Sequence, residues 1–380
     1  MTKLKTDWIL FFAIIAMTAF GIVMVYSASS AVAELRYKVP PYYFVLRQIG
    51  WAVASFLVLM YFKRFDYRRL NTPAWAFSGL GIVIALLVLV YFVDSRSHRW
   101  FKIGGLGSFQ PSEFAKPALI LFLAYFISRR TQVINYLATR RQAFLAVVML
   151  GLLVVLADLG TAIIPVLTAV IVFWVAGLEK KYMARVVMLG LALCVIAVVS
   201  KGYRLGRFIA YFDPDYKLIE VVDTHHWVRG YVSSSTAIRD AAYQPRQSKI
   251  AVGTGGVLGV GLMRGKQKLM FLPDAHTDFI YATVGEELGL WGSTAVLAGF
   301  VVILWRGARL FVLAREDFGK YLALGVTVTI MLQALFNMSV VLDMAPTKGF
   351  PLPMISFGGS SLLSTLASLG MLLSVGEHEG

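Results

Sequence analysis

The chain has 380 residues, 58% of them hydrophobic and 15% charged, against roughly 45–50% apolar and about 25% charged in soluble globular domains. That balance excludes a soluble protein and predicts one membrane domain over residues 1–380, its length consumed by spans and short connections. The net charge of +15 would suit nucleic acid in a soluble chain; here cytoplasmic loops and anionic headgroups account for it, and no nucleic-acid partner is expected.

The first apolar segment, WILFFAIIAMTAFGIVMVY, follows MTKLKTD and exceeds the 7–15 residues of a signal-peptide core. It reads as a retained first span, with Ser27, Ala28 and Ser29 keeping a cleavage site open. At about 20 apolar residues per span, helices are predicted near 8–27, 46–62, 74–93, 112–128, 143–157, 161–178, 183–200, 277–305, 319–343 and 358–376. Cys194, the single cysteine, lies within the seventh, so neither a disulfide framework nor a cysteine metal site is expected. Lys3, Lys5, KRFDYRR at 63–69, the arginines at 129–141, EKK at 179–181 and the basic run between 305 and 320 all fall on one side. The expectation is an all-α polytopic fold of about ten transmembrane helices, both termini cytoplasmic, with one long external loop before the eighth helix.

That loop, residues 201–276, carries eleven Lys or Arg, from Lys201 to Lys268. Long loops translocate largely regardless of charge, so these are either solvated or held for an anionic ligand outside the membrane. Its AVGTGGVLGVGLMRG run does not fit G-x-G-x-x-G and lacks the flanking strand and acid of a dinucleotide site. Tightly packed irregular backbone at the membrane surface is the better reading. Internal repeats of the kind many transporters use are not evident.

FLPDAHTDFIYATVGEELG, residues 271–289, places four carboxylates where a span begins. If the helix starts at Thr277, Glu287 points opposite Asp278, and Glu286 lies a quarter-turn away and about 12 Å along the axis. The carboxylate pair of a glycosidase, about 5–10 Å apart, has no support there. Asp278 reads either as a helix-start carboxylate or as a catalytic group, with Asp274 or Thr277 able to cap instead. His276 lacks companions at zinc spacing and is read as a hydrogen-bonding or interfacial residue.

In GSFQPSEFAK, residues 107–116, Pro111 and Ser112 open a span, and Glu113 and Lys116 share a helix face. They form a self-neutralising pair or a charged cavity wall. Asp158 in ADLGTA caps the next helix or faces the same cavity. APTKGFPLPMISFGGSS, residues 345–361, has three prolines and three glycines, which forbid a continuous helix and predict a re-entrant or cavity-lining loop. Lys348 within it either snorkels or meets a phosphate.

Taken together, FQPSEFAK, DLGTA, QSKIAVGTGGVLGVGL, LPDAHTDFIYATVGEELGLWG and QALFNMSVVLDMAPTKGFPLPMISFGGSS resemble, in order and over most of the chain, the SEDS family of bacterial cell-wall proteins (RodA/FtsW). The PTKG form is more similar to the FtsW division branch. The resemblance implies a ten-span peptidoglycan glycosyltransferase of the bacterial cytoplasmic (inner) membrane, polymerising lipid II, the undecaprenyl-diphosphate-linked disaccharide peptide, at an outward-facing site. It implies a class B penicillin-binding protein and other divisome or elongasome membrane proteins as partners. Asp278 falls on the family's essential aspartate and Lys348 on its final-loop lysine.

Attack by a sugar 4-hydroxyl on the lipid-diphosphate donor needs one base and positive charge for a leaving group that is already a good anion. Asp278 as base with Lys348 and Lys268 as cations fits, and His276, Thr277, Glu113, Lys116, Asp158, Ser356 and Ser360 complete the expected substrate-binding set. A divalent cation, Mg2+ or Mn2+, is an option at the diphosphate, with no metal site of the chain's own expected. Departures from the family pattern are Ala157, Ser339, Asp343, Phe357 and a longer segment at 213–244. The rival readings are a lipid II flippase, which would need a charged path, and a non-catalytic scaffold for the penicillin-binding protein.

Overall fold

The computed structural model describes residues 6–94, 98–103, 107–157, 159–213 and 237–378. Its helices are α1 (Trp8–Leu35), α2 (Tyr43–Arg64), α3 (Pro73–Val93), α4 (Pro111–Ser128), α5 (Leu137–Ala157), α6 (Leu159–Val175), α7 (Lys180–Val199), α8 (Gly202–Phe212), α9 (Ala237–Gly255), α10 (Ile280–Leu313), α11 (Asp317–Val341) and α12 (Gly359–His378). Eight of these, α1–α3, α5, α7 and α10–α12, are long and apolar enough to cross a membrane. The shorter α4 and α6 occupy the other two expected segments.

Local chemistry sets the ends. Asp7 caps α1 by accepting from Leu10 N at 3.1 Å, and Thr72 precedes Pro73 at the start of α3, where a missing N–H costs nothing. α12 is central: 78% of its apolar window is buried, mostly against α2, with α4 and α11 on its other sides. α7 is the opposite, with no buried residue, as expected of a helix whose faces meet lipid rather than protein.

Some features add to the expected helices, and two expectations, the start of the helix after Asp274 and its cap, are corrected. The fold is all-helical as expected, with one small two-stranded antiparallel hairpin added, β1 (Phe101–Ile103) with β2 (Gly107–Phe109). Segment 201–276, expected as one long loop, contains α8 and α9. The helix expected from Thr277 begins at Ile280. Asp274 stands at φ 55, and the N–H groups of Thr277 and Phe279 both turn back to its carbonyl, so neither Asp274 nor Thr277 acts as a side-chain cap. Finally, α10 is kinked at Gly289, φ 63. A Cβ there would lie 2.4 Å from Gly259 N and 2.6 Å from Val257 O, so only glycine permits both the conformation and the approach. Of the 213–244 segment, residues 214–236 lie outside the described residues.

Candidate active site

A cleft of about 160 Å³ opens where five chain segments meet. Asp274, Asp278 and Phe279 come from the turn before α10, and Thr347, Lys348 and Gly349 from the loop between α11 and α12. Arg99 precedes β1, Arg207 projects from α8 and Gln244 from α9. Three cations and two carboxylates thus line one cleft. Two glycines set its dimensions: a Cβ on Gly349 would lie 2.0 Å from Asp278 Oδ2, and one on Gly160 would lie 1.8 Å from Lys348 Cε. Any side chain at either position would displace the carboxylate or the lysine stem.

Hydrogen bonds to irregular backbone hold the two loops in register. Asn337 Nδ2 donates to Asp278 O at 2.7 Å and also to Phe350 O. Ser356 Oγ donates to Thr277 O at 2.6 Å and accepts from Leu352 N. Gln48 donates to Ser356 O at 3.2 Å, and Phe357 N donates to His276 O at 2.9 Å. Such satisfaction is what non-helical backbone requires at membrane depth.

The expected site residues separate into liners and supports. Asp278 and Lys348 line the cleft. Thr277 and Ser356 hold the turn that carries Asp278, through the bond from Ser356 Oγ to Thr277 O. Ser360 accepts from Gln110 N at 3.0 Å, tying α12 to the start of α4. Glu113 and Lys116 form a buried pair at 2.7 Å, and Lys116 also donates to Gln333 Oε1 at 2.6 Å. Because Gln333 Nε2 donates to Pro351 O at 2.8 Å, this pair braces the Lys348 loop rather than walling the cleft. Asp158 lies outside the described residues.

Lys268 is a correction: it is not among the cleft's lining residues, and its ammonium is 2.5 Å from Glu287 with side-chain exposures of 3% and 0%. A lysine this deep is retained because an acid partners it. Glu287 also accepts from Ser27 and Met263 N, and Glu286 accepts from Lys266 N at 2.7 Å and Gln267 N at 3.1 Å. The paired acids therefore fasten the glycine-rich segment to α10 and α1. His276 forms a three-ring cluster with Phe44 and Phe357. Burial pushes its imidazole below the usual range against the opposing pull of Asp274, which favours the neutral ring.

Arg99, Arg207, Gln244 and Thr347 went unassigned in the sequence. The available signal was the excess of basic residues on the external side, which topology does not explain, but which of them converge depends on the placement of α8 and the hairpin.

Residues 7–380 match the model of the FtsW/RodA/SpoVE family, described as cell cycle proteins. A probable peptidoglycan glycosyltransferase FtsW of Geobacter sulfurreducens is 36% identical over 381 residues, covering 98% of this chain and 95% of that one. Among solved structures, a chain from work on structural coordination of polymerization and crosslinking by a peptidoglycan synthase complex superposes with a TM-score of 0.72 at 25% identity, over 98% of both chains. The rod shape determining protein RodA of Thermus thermophilus has the same fold, with a TM-score of 0.68 at 24% identity over 99% of this chain and 98% of that one.

Proposed function

The chain belongs to the FtsW/RodA/SpoVE family and is a peptidoglycan glycosyltransferase, and from that premise we propose that Asp278 is the general base of lipid II polymerisation. The observation that carries this reading is the cleft itself, which Asp278 lines together with Arg99, Arg207 and Lys348. Asp278 removes the proton of an acceptor sugar 4-hydroxyl. The oxygen attacks the anomeric carbon of the donor, the bond from that carbon to the diphosphate oxygen breaks, and the electron pair leaves with the lipid diphosphate. Direct displacement inverts the anomeric centre. The leaving group takes no proton, so cations rather than an acid are what it requires. Two arginines offer planar forks suited to phosphate oxygens and Lys348 a point charge.

Mg2+ or Mn2+ fits the same cleft, because such an ion needs only one or two protein carboxylates when phosphates complete its shell. Asp274, the second carboxylate of the cleft, would hold it with Asp278 kept as the base, and it would add charge neutralisation at the diphosphate. Chelator titration followed by metal add-back reads that contribution directly.

The remaining assignments follow the same reading. The ten spans form one membrane domain of the bacterial cytoplasmic membrane, with both termini inside and the cleft facing outward, where the polymer is needed. A class B penicillin-binding protein is the partner that crosslinks the product. Relatives bearing the FtsW name support a place in division over elongation. The test is Asp278→Asn. The variant should insert and fold, because Asn337 holds the backbone carbonyl at 278 rather than the carboxylate, yet yield no glycan chains from lipid II on a gel. Chain synthesis at the wild-type rate overturns the assignment.

A further inference from the structure

We propose that Asn337 is a positioning residue of the transferase, a clamp that fixes the Asp278 turn against the Lys348 loop. The inference rests on the reading of Asp278 as the base. Asn337 lies near the end of α11 and is 1% exposed. Its Nδ2 donates to Asp278 O at 2.7 Å and to Phe350 O, two residues beyond Lys348. Both acceptors are carbonyl oxygens, so only the amide nitrogen can face them, and both of its hydrogens are spent. One side chain therefore joins the backbone of the base to the backbone of the loop that carries a cation.

Two further observations separate this from ordinary packing. Asn337 Oδ1 is buried without a hydrogen-bond partner, a desolvation cost that an apolar residue of similar size would avoid. The amide is kept despite that cost, which points to the donors as its purpose. Gln333, one turn earlier on the same face of α11, holds Pro351 O at 2.8 Å, and its Oε1 accepts from Lys116 rather than bonding to the Asp278 turn. The two loops are also joined by Ser356 Oγ to Thr277 O and by Phe357 N to His276 O, and the joint made at residue 278 itself is that of Asn337. α11 is a rigid place to mount it, since 67% of its apolar window is buried. With the carboxylate of Asp278 against Gly349, a shift of either loop moves base and cations relative to each other.

The experiment uses full-length protein and lipid II, with Asp278→Asn and Thr329→Val alongside. Asn337→Asp is nearly isosteric but sets a carboxylate against two carbonyls. Its kcat per folded enzyme should fall about 100-fold, the cost of a misplacement near 1 Å, while KM for lipid II changes by no more than about twofold. Hydrogen exchange should quicken together in peptides covering 272–279 and 346–352 and stay unchanged in α12. Thr329→Val removes a buried hydrogen bond of the same helix, 3.0 Å from Thr168, and should lower melting temperature without lowering kcat. If Asn337→Asp does not fold, Asn337→Ser, which keeps a single donor, is read in its place with the same expectation. Wild-type kcat in the folded variant, or a loss carried by KM alone, overturns the clamp. Wild-type turnover by Asp278→Asn instead overturns the base assignment, so the two failures are distinct.

Discussion

Arg207 brings to the cleft a guanidinium whose Nε is buried without a hydrogen-bond partner. A planar fork next to Lys348 suits a diphosphate, and lysine cannot reproduce its paired donors. Arg207→Lys should therefore raise KM for lipid II about tenfold, the loss of one charge-assisted hydrogen bond of ~1.5 kcal/mol, with kcat little changed. Steady-state polymerisation at varied lipid II checks this, and an unchanged KM removes Arg207 from the diphosphate. At this scale the sequence was informative about chemistry and poor about address. That Asp278 and Lys348 belong to one cleft was legible from motif and charge. Lys268 was not, because nothing in QKLMFLP tells that its ammonium turns inward to Glu287.

At the scale of elements, the glycine-rich segment and the first turns of α10 act as one unit. Gly289 opens the helix where Gly259 and Val257 pass, while Glu286 and Glu287 collect the N–H groups of 263, 266 and 267 and the Lys268 ammonium. Removing one charge of a buried pair typically costs ~3–5 kcal/mol, whereas removing both is far milder. Lys268→Met should accordingly destabilise the protein by about that amount, and Lys268→Met with Glu287→Gln should recover most of it. Thermal unfolding in one detergent measures both; equal melting of the single variant and the wild type would deny the pair a structural role. The expected helix starting at Thr277 failed here for a physical reason. Helical periodicity does not reveal that Asp274 adopts a left-handed turn and draws the next five residues out of the helix.

For the whole molecule, the ten apolar segments, the bias of Lys and Arg to one side and the external position of the basic excess predict a single topology. In a Cys194→Ser background, an impermeant maleimide should label Arg264→Cys in intact spheroplasts and label Arg315→Cys only after lysis. The reverse pattern would invert the membrane orientation. Hydropathy alone determined the approximate limits of the long apolar helices, because a bilayer demands long runs without charge whatever their neighbours. The proline- and glycine-rich loop before α12 was equally plain, since those residues cannot continue a helix. Which charges meet was decided only by tertiary structure. Arg99, Arg207, Asp278 and Lys348 lie far apart in sequence, and their convergence depends on how α8, the hairpin and two irregular loops are held by partners such as Asn337. Periodicity reports a residue's own helix face; it carries no record of the segment that will pack across from it.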